Sequence, residues 1–555
     1  MSRRFIVLVA VVGTLLALAF GALGAGFTPT SPARGAPAAD PFIRVNAQGP
    51  AWGPCPLSAG GDPRVECADV RVPLDHARPD GATIRIKVSR LRASDPDRRI
   101  GVLLLNPGGP GGSGLWLPAA LAEYAPQLHE RFDLIGFDPR FVGESTPITC
   151  GLEPAEQNWP RYSGRDGFAA DARAAEEFAA KCPADARAAE EFAAKCQRVS
   201  GDLFPHLNTE YAARDMDVIR SALGEQRISY LGWSYGTNLG AVYAQLFPER
   251  ADRFVLDSVV HPGWVWREQL RRSGRGFEAA LNQWATWTAR SEDRYGLGST
   301  AAAVRKSTAA AVRKTYDALV AELERDPVET DAGPVDGDLL RAWTLVQLYS
   351  DRTYPLVAGL VAELRSGTVD PDHAAELADL GTGDGAADDN RTAAYWGVLC
   401  EDVVWPRDLL RYAQEAKWDA IRYPFFGAEA SNITPCAFWP DNRIRRPVPI
   451  TGNRTPGVLL VQAAGDPVTP FEGTLAMRRR LATNVRLVTL VDAYAHQVFA
   501  AYGNPCVDRA VTEYLLTGRL PHTDVTCANL GEQLWRAGPP NGLGDRLREI
   551  NGTAR

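Results

Sequence analysis

The sequence predicts an α/β protein: a mainly parallel sheet with helices on both faces and a large helical insertion. Three observations carry this. Short, wholly apolar runs alternate with stretches of helical spacing. The apolar runs end in turns rich in glycine, serine or aspartate. One long section, 263–445, reads as helix throughout and interrupts the alternation.

In order along the chain, Arg3 and Arg4 precede an apolar run from Phe5 to about Phe27, and Ala36-Pro37-Ala38 offers a cleavage site. Residues 1–38 therefore read as a secretory signal. The run is also long enough to span a bilayer if left uncut, so the chain is expected to be secreted or anchored outside the membrane. Residues 39–262 form the N-terminal part of the core. "DVRVPLDHARPDGATIRIKVSRLRA" (69–93) alternates apolar and polar residues around Pro79-Asp80-Gly81, a hairpin signal. "GVLLLNPGGPGGSG" (101–114) is a buried strand running into a glycine loop, and "FDLIGFDPR" (132–140) is a second buried strand. "EYAARDMDVIRSALG" (210–224) has helical spacing and a terminal glycine. "RISYLGWS", "YGTNLGAVYAQLFPE" and "RFVLDSVV" (253–260) read strand, helix, strand. After the insertion, 446–530 completes the core with a strand in "GVLLVQAAGDPVTP" (457–470), a helix at 472–482 and the strand-like "VRLVTLVDAYAH" (485–496). Residues 531–555 are a tail.

Gly232-Trp233-Ser234-Tyr235-Gly236 lies between a strand and a helix. A serine in that context sits on a tight turn that lifts its hydroxyl above the sheet, while small flanking residues permit the turn. A serine hydroxyl needs a base to attack, and the elbow arrangement places an acid and then a histidine after later strands. Of the seven histidines, His261, His373, His496 and His522 follow Ser234. His496 closes the last strand-like run, and Asp466 closes the strand before it. Ser234, Asp466 and His496 are the expected catalytic set. The backbone N–H of Tyr235 and one from the "NPGGPGGSG" loop are the expected oxyanion donors. That loop lacks the lysine of a phosphate-binding loop.

"NPGGPGGSG", "FDPRFVGESTP", "GWSYGT", "LDSVVHP", "GDPVTP" and the late histidine together resemble the secreted actinobacterial tripeptidyl aminopeptidases. These are serine exopeptidases of the α/β-hydrolase fold, akin to prolyl aminopeptidases. The resemblance runs from about residue 50 to 530. It implies the same triad, an oxyanion hole at Gly109 and Tyr235, no cofactor, peptide substrates with free N-termini, and a cap over 263–445 that blocks chain interiors. Residues 446–530 match that family's C-terminal region. Relatives carry glycine where this chain has Phe141 in Asp-Pro-Arg-Phe-Val-Gly; if the position needs positive φ, phenylalanine costs about 1 kcal/mol or more. An exopeptidase must hold a substrate ammonium, and Glu401 and Asp402 in "WGVLCEDVVWP" (396–406) are the candidate anchor. The glycine- and aspartate-rich "DLGTGDGAADDN" (379–390) reads as a floppy loop. A carboxylesterase with the same triad, and a non-catalytic binding protein on the same scaffold, are the alternatives.

Net charge is −7 without a basic block, so nucleic acid and anionic membrane surfaces are not expected partners. Nine cysteines are an odd number for an exported chain. "ADARAAEEFAAKC" occurs at 170–182 and again at 184–196, and removing one copy leaves an even set. A shorter echo occupies 300–315. The expected pairs are Cys55–Cys67, Cys400–Cys436, Cys506–Cys527, and Cys150 with Cys182 or Cys196. No CxxC or histidine cluster suggests a metal.

Overall fold

A computed structural model describes residues 49–153, 173–298, 308–330, 333–382, 386–440, 446–452, 456–481 and 484–531. The signal reading for 1–38 and the tail lie outside these. No helix among the described residues is long and apolar enough to cross a membrane.

Ten strands form one sheet. They are β1 (Gly53–Pro54), β2 (Glu66–Pro73), β3 (Thr83–Leu91), β4 (Gly101–Asn106), β5 (Phe132–Phe137), β6 (Ile228–Trp233), β7 (Ala251–Asp257), β10 (Val458–Ala463), β11 (Val485–Val491) and β12 (Val525–Ala528). Their order is β1-β2-β3-β5-β4-β6-β7-β10-β11-β12. A separate hairpin holds β8 (Val328–Thr330) and β9 (Gly333–Val335). The anticipated hairpin is present, with Val70 opposite Ile86 in antiparallel register. From β5 to β12 every neighbouring pair is parallel. These strands read as unbroken apolar runs because both faces are buried: Val102 and Leu104 enter one core, Leu103 and Leu105 the other. The edge strand β12 follows the run that looked last in sequence. It is short, and the Cys506–Cys527 disulfide ties it to the preceding helix.

The helices are α1 (Leu117–Tyr124), α2 (Pro126–His129), α3 (Arg173–Ser200), α4 (Thr209–Ala222) and α5 (Tyr235–Leu246) before the insertion. Within it lie α6 (Arg267–Ala289), α7 (Glu292–Tyr295), α8 (Ala309–Leu323), α9 (Gly337–Gln347), α10 (Tyr354–Ser366), α11 (Pro371–Thr382), α12 (Ala386–Asp402), α13 (Leu409–Arg422) and α14 (Gly427–Ser431). After it come α15 (Phe471–Leu481) and α16 (Pro505–Thr517). The insertion has an apolar core of its own, built on Phe277, Trp284, Tyr316, Trp343 and Tyr354.

The adjacent copies at 170–196 fall largely in the single helix α3. A 14-residue offset is close to four turns at 3.6 residues per turn. Cys196, in that second copy, bonds Cys150; the side chain of Cys182 lies outside the described residues. Cys55–Cys67 and Cys400–Cys436 pair as expected.

The segment expected to be a floppy loop is instead helical from Ala386 on, at the start of α12. Residues 383–385 lie outside the described set. Local composition was overridden by distant donors. Asp389 accepts from the N–H groups of Cys150 (3.2 Å) and Leu152 (3.2 Å) and from the Thr149 hydroxyl. Asn390 bonds the carbonyls of Phe141 (2.8 Å) and Ile148 (2.7 Å).

Phe141 has φ 67°, the left-handed region that its replacement of glycine implied. Its ring is fully buried in the main core. The next glycine, Gly143, is sterically required, since a Cβ there would meet the Asp138 carboxylate.

Candidate active site

The chain order changes direction between β4 and β6. β5 lies on one side of β4 and β6 on the other, which opens a crevice at their carboxyl ends. The glycine loop after β4 and the elbow after β6 both fall there. Ser234 has φ 55° and ψ −122°, a strained conformation reached where strand turns into helix. The flanking glycines are explained by contact. A Cβ on Gly232 would lie 2.6 Å from the Gly236 carbonyl oxygen and the Tyr230 hydroxyl, and one on Gly236 would lie 2.8 Å from Asn106 Oδ1. Ser234 heads α5, whose first N–H groups, including that of Tyr235, have no acceptor inside the helix. Gly109, in the loop after β4, has φ 103°. Gly109, Ser234 and Tyr235 line the same cavity.

Asp466 follows β10 and is held from several sides. Its Oδ1 accepts from the N–H groups of Val468 (2.9 Å) and Thr469 (2.8 Å), and its Oδ2 from Gln462 Nε2 (2.9 Å) and the Thr469 hydroxyl (2.8 Å). His496 Nδ1 lies 3.1 Å and 3.0 Å from the two carboxylate oxygens. A carboxylate only accepts, so Nδ1 carries the proton and Nε2 keeps its lone pair. His496 Nε2 is buried and has no hydrogen-bond partner among the described residues.

Three groups that local sequence patterns do not reveal hold this arrangement. Asp257, at the end of β7, accepts the Ser234 N–H on its main-chain oxygen (2.9 Å). Its carboxylate accepts from the N–H groups of Val498 (3.1 Å) and Phe499 (2.6 Å), just past His496. One residue thus ties the serine turn to the histidine loop. Burial pushes its carboxyl up to about 7. Gln462 spends all four of its hydrogen-bonding positions, donating to Asp466 and the Thr469 carbonyl and accepting from Val259 N–H and the Thr474 hydroxyl. From the insertion, the Tyr349 carbonyl accepts the His496 N–H (2.7 Å) and the Tyr349 ring meets the imidazole edge to face at 5.5 Å. Asp351 accepts the Tyr494 N–H (3.0 Å). The insertion also reaches the acid loop: Gln269 donates to the Val468 carbonyl (2.9 Å), and Gly276 lets α6 approach Pro467.

The cavity beside Ser234 has walls of Val260, Trp266, Leu270, Tyr395, Leu399 and Val468, with Gln269, Ser273 and Thr469 as its neutral polar groups. No charged residue lines it among the described residues. Thr469 joins the cavity to the acid and the imidazole.

The acids expected to bind an ammonium do not line this cavity. Glu401, at the end of α12, is fully buried and accepts from Trp439 Nε1 (2.7 Å). Asp402 lies behind the wall, accepting from Thr209 N–H (2.7 Å), the Thr209 hydroxyl (2.6 Å) and Trp266 Nε1 (3.0 Å). Burial raises its carboxyl to about 6. Sequence proximity to a disulfide and apolar neighbours suggested an anchor; Thr209, Trp266 and Trp439, from distant segments, bind both Asp402 oxygens and Glu401 Oε1. No cluster of metal-ligating side chains is found among the described residues.

Comparison with known proteins gives a consistent picture. The family model for the alpha/beta hydrolase fold matches residues 101–499. A tripeptidyl aminopeptidase of Streptomyces lividans is 35% identical over 512 residues, covering 89% of this chain and 89% of that one. The serine protease Hip1 of Mycobacterium tuberculosis is 28% identical, covering 86% and 90%. A carboxylesterase B of Mycobacterium tuberculosis is 31% identical, covering 91% and 92%.

Proposed function

This chain belongs to the alpha/beta hydrolase family, and on that premise we propose that it is an exported serine exopeptidase releasing short peptides from free N-termini. The observation that carries the reading is the imidazole of His496. One nitrogen is engaged by Asp466 and the other is buried without a partner among the described residues, in the loop that Asp257 ties to Ser234. Nε2 takes the Ser234 proton as Oγ attacks the peptide carbonyl. Asp466 holds the ring and favours the imidazolium. The N–H groups of Gly109 and Tyr235 receive the developing oxyanion. The imidazolium then gives its proton to the leaving amine, and water hydrolyses the acyl-enzyme. The helices of 263–445 act as the cap that restricts entry to chain ends. Four disulfides among the described residues suit an oxidising compartment.

The absence of charge in the cavity lining favours a second reading, carboxylester hydrolysis by the same groups. The two separate on substrates. A peptidase of this kind cleaves a tripeptide anilide with a free amine, fails on its acetylated form, and is slow on aryl butyrate. Equal turnover of blocked and free anilides, with faster ester hydrolysis, would reject the exopeptidase reading. Failure of a fluorophosphonate to label Ser234 would reject both.

A further inference from the structure

Nine large hydrophobic side chains are exposed among the described residues, and five of them, Val404, Leu409, Leu410, Trp418 and Ile421, fall between residues 404 and 421. Leu410 is 73% exposed and Trp418 60%. On α13 the positions 410, 418 and 421 share one face, while Tyr412, Ala416, Asp419 and Ala420 on the other face are buried.

The fold also sorts charge that is balanced in sequence. Residues 404–422 contain Arg407, Arg411, Lys417 and Arg422 against Asp408, Glu415 and Asp419. Asp419 turns inward to Arg271 (2.7 Å), and Glu415 pairs with Arg267 of α6. Asp408 caps α13 through the N–H groups of Leu410 (3.0 Å) and Arg411 (3.3 Å). All four cations stay exposed, as does Asp408; Arg411 bonds Glu415 (3.0 Å) and Arg407 the Trp439 carbonyl, while Lys417 and Arg422 have no ion pair among the described residues. Lys417 and Arg422 thus stand unpaired among exposed apolar side chains, a local basic face that the net charge of −7 and the lack of a basic block in the sequence did not indicate.

We propose that this face docks on an anionic phospholipid surface. Trp418 sits at headgroup level, Leu410 and Ile421 enter the acyl boundary, and the four cations meet lipid phosphates. Long basic side chains snorkel beside buried apolar groups. A protein interface would instead deplete lysine from its centre, and a second copy related by a two-fold axis would set four cations against four. The docked surface lies one helix from the catalytic cavity. Arg267 and Arg271 of α6 face α13, while Gln269, Leu270 and Ser273 of the same helix line the cavity.

The N-terminal apolar run could itself hold lipid, so the test must read this face alone. Hydroxyl-radical footprinting of the full-length protein, with and without vesicles, reports each side chain, with exposed Leu57 and Leu356 as internal standards. Vesicles of phosphatidylcholine containing phosphatidylglycerol should lower modification of Leu410, Trp418 and Ile421 at least fivefold and leave the standards unchanged. Lys417→Ala with Arg422→Ala should raise the lipid needed for that protection about thirtyfold. Three results would overturn the proposal. They are unchanged modification in vesicle-bound protein, equal protection by phosphatidylcholine alone, and side chains already shielded without lipid by another part of the chain or a second copy.

Discussion

Asp257→Asn is the sharpest probe of how the site is held together. Burial raises the Asp257 carboxyl from the ordinary 3.8 to about 7, so the folded state holds this proton more tightly than the unfolded state. The sign follows directly. Below the ordinary carboxylate range the group costs nothing, and as pH rises through about 7 folding loses stability. A shift of this size corresponds to roughly 4 kcal/mol by the top of the window. Asparagine cannot ionise and removes that loss. With its oxygen in the place of Oδ2 it still accepts the Val498 and Phe499 N–H groups, but its NH2 replaces the Oδ1 that also accepts Val498 N–H (3.1 Å) and sets donor against donor, about 1 kcal/mol at any pH. Urea midpoints at pH 5 and pH 9 should therefore show the wild type declining more steeply than the variant, by up to roughly 3 kcal/mol, the share of the window that lies above pH 5. Since the same N–H groups position the loop after His496, kcat should fall more than KM rises. Parallel stability declines in the two proteins, or unchanged kcat, would refute the assigned role.

Ser234→Ala should retain the wild-type melting temperature and lose turnover by at least about 10⁴-fold, read by anilide hydrolysis and loss of fluorophosphonate labelling. Phe141→Gly relieves about 1 kcal/mol of left-handed strain but empties a fully buried ring site worth about 3–5 kcal/mol. Chemical denaturation should show a net loss, and a gain would mean the strain is the larger effect. Asp402→Asn should lower thermal stability while leaving the preference for free over acetylated amines intact, because its oxygens are taken by Thr209 and Trp266. Collapse of that preference at unchanged stability would restore Asp402 as an ammonium anchor.

The sequence alone determined what depends on near neighbours. Apolar runs and helical spacing specified the strands and helices of the core, and the hairpin fell where Pro79-Asp80-Gly81 placed it. The elbow was legible because its requirement is steric and local: two glycines and a serine between a strand and a helix. The contact between Asp466 and His496 was legible through their order after later strands. Tertiary structure decided the partners of buried polar groups. Asp257, Gln462 and Tyr349 look unremarkable in sequence, yet each bonds a segment that only folding brings near. Glu401 and Asp402 likewise bond Trp439, Thr209 and Trp266, which spacing does not indicate, and 379–390 was misread as a loop because Asp389 and Asn390 answer donors and acceptors some 240 residues away. Lys417 and Arg422 were left without acidic partners on α13 only when α6 drew Asp419 inward and shared Glu415 with Arg411. Leaving a buried donor or acceptor unpaired is expensive, so the folded chain satisfies such groups with whatever the topology delivers, and spacing along the chain carries no record of it.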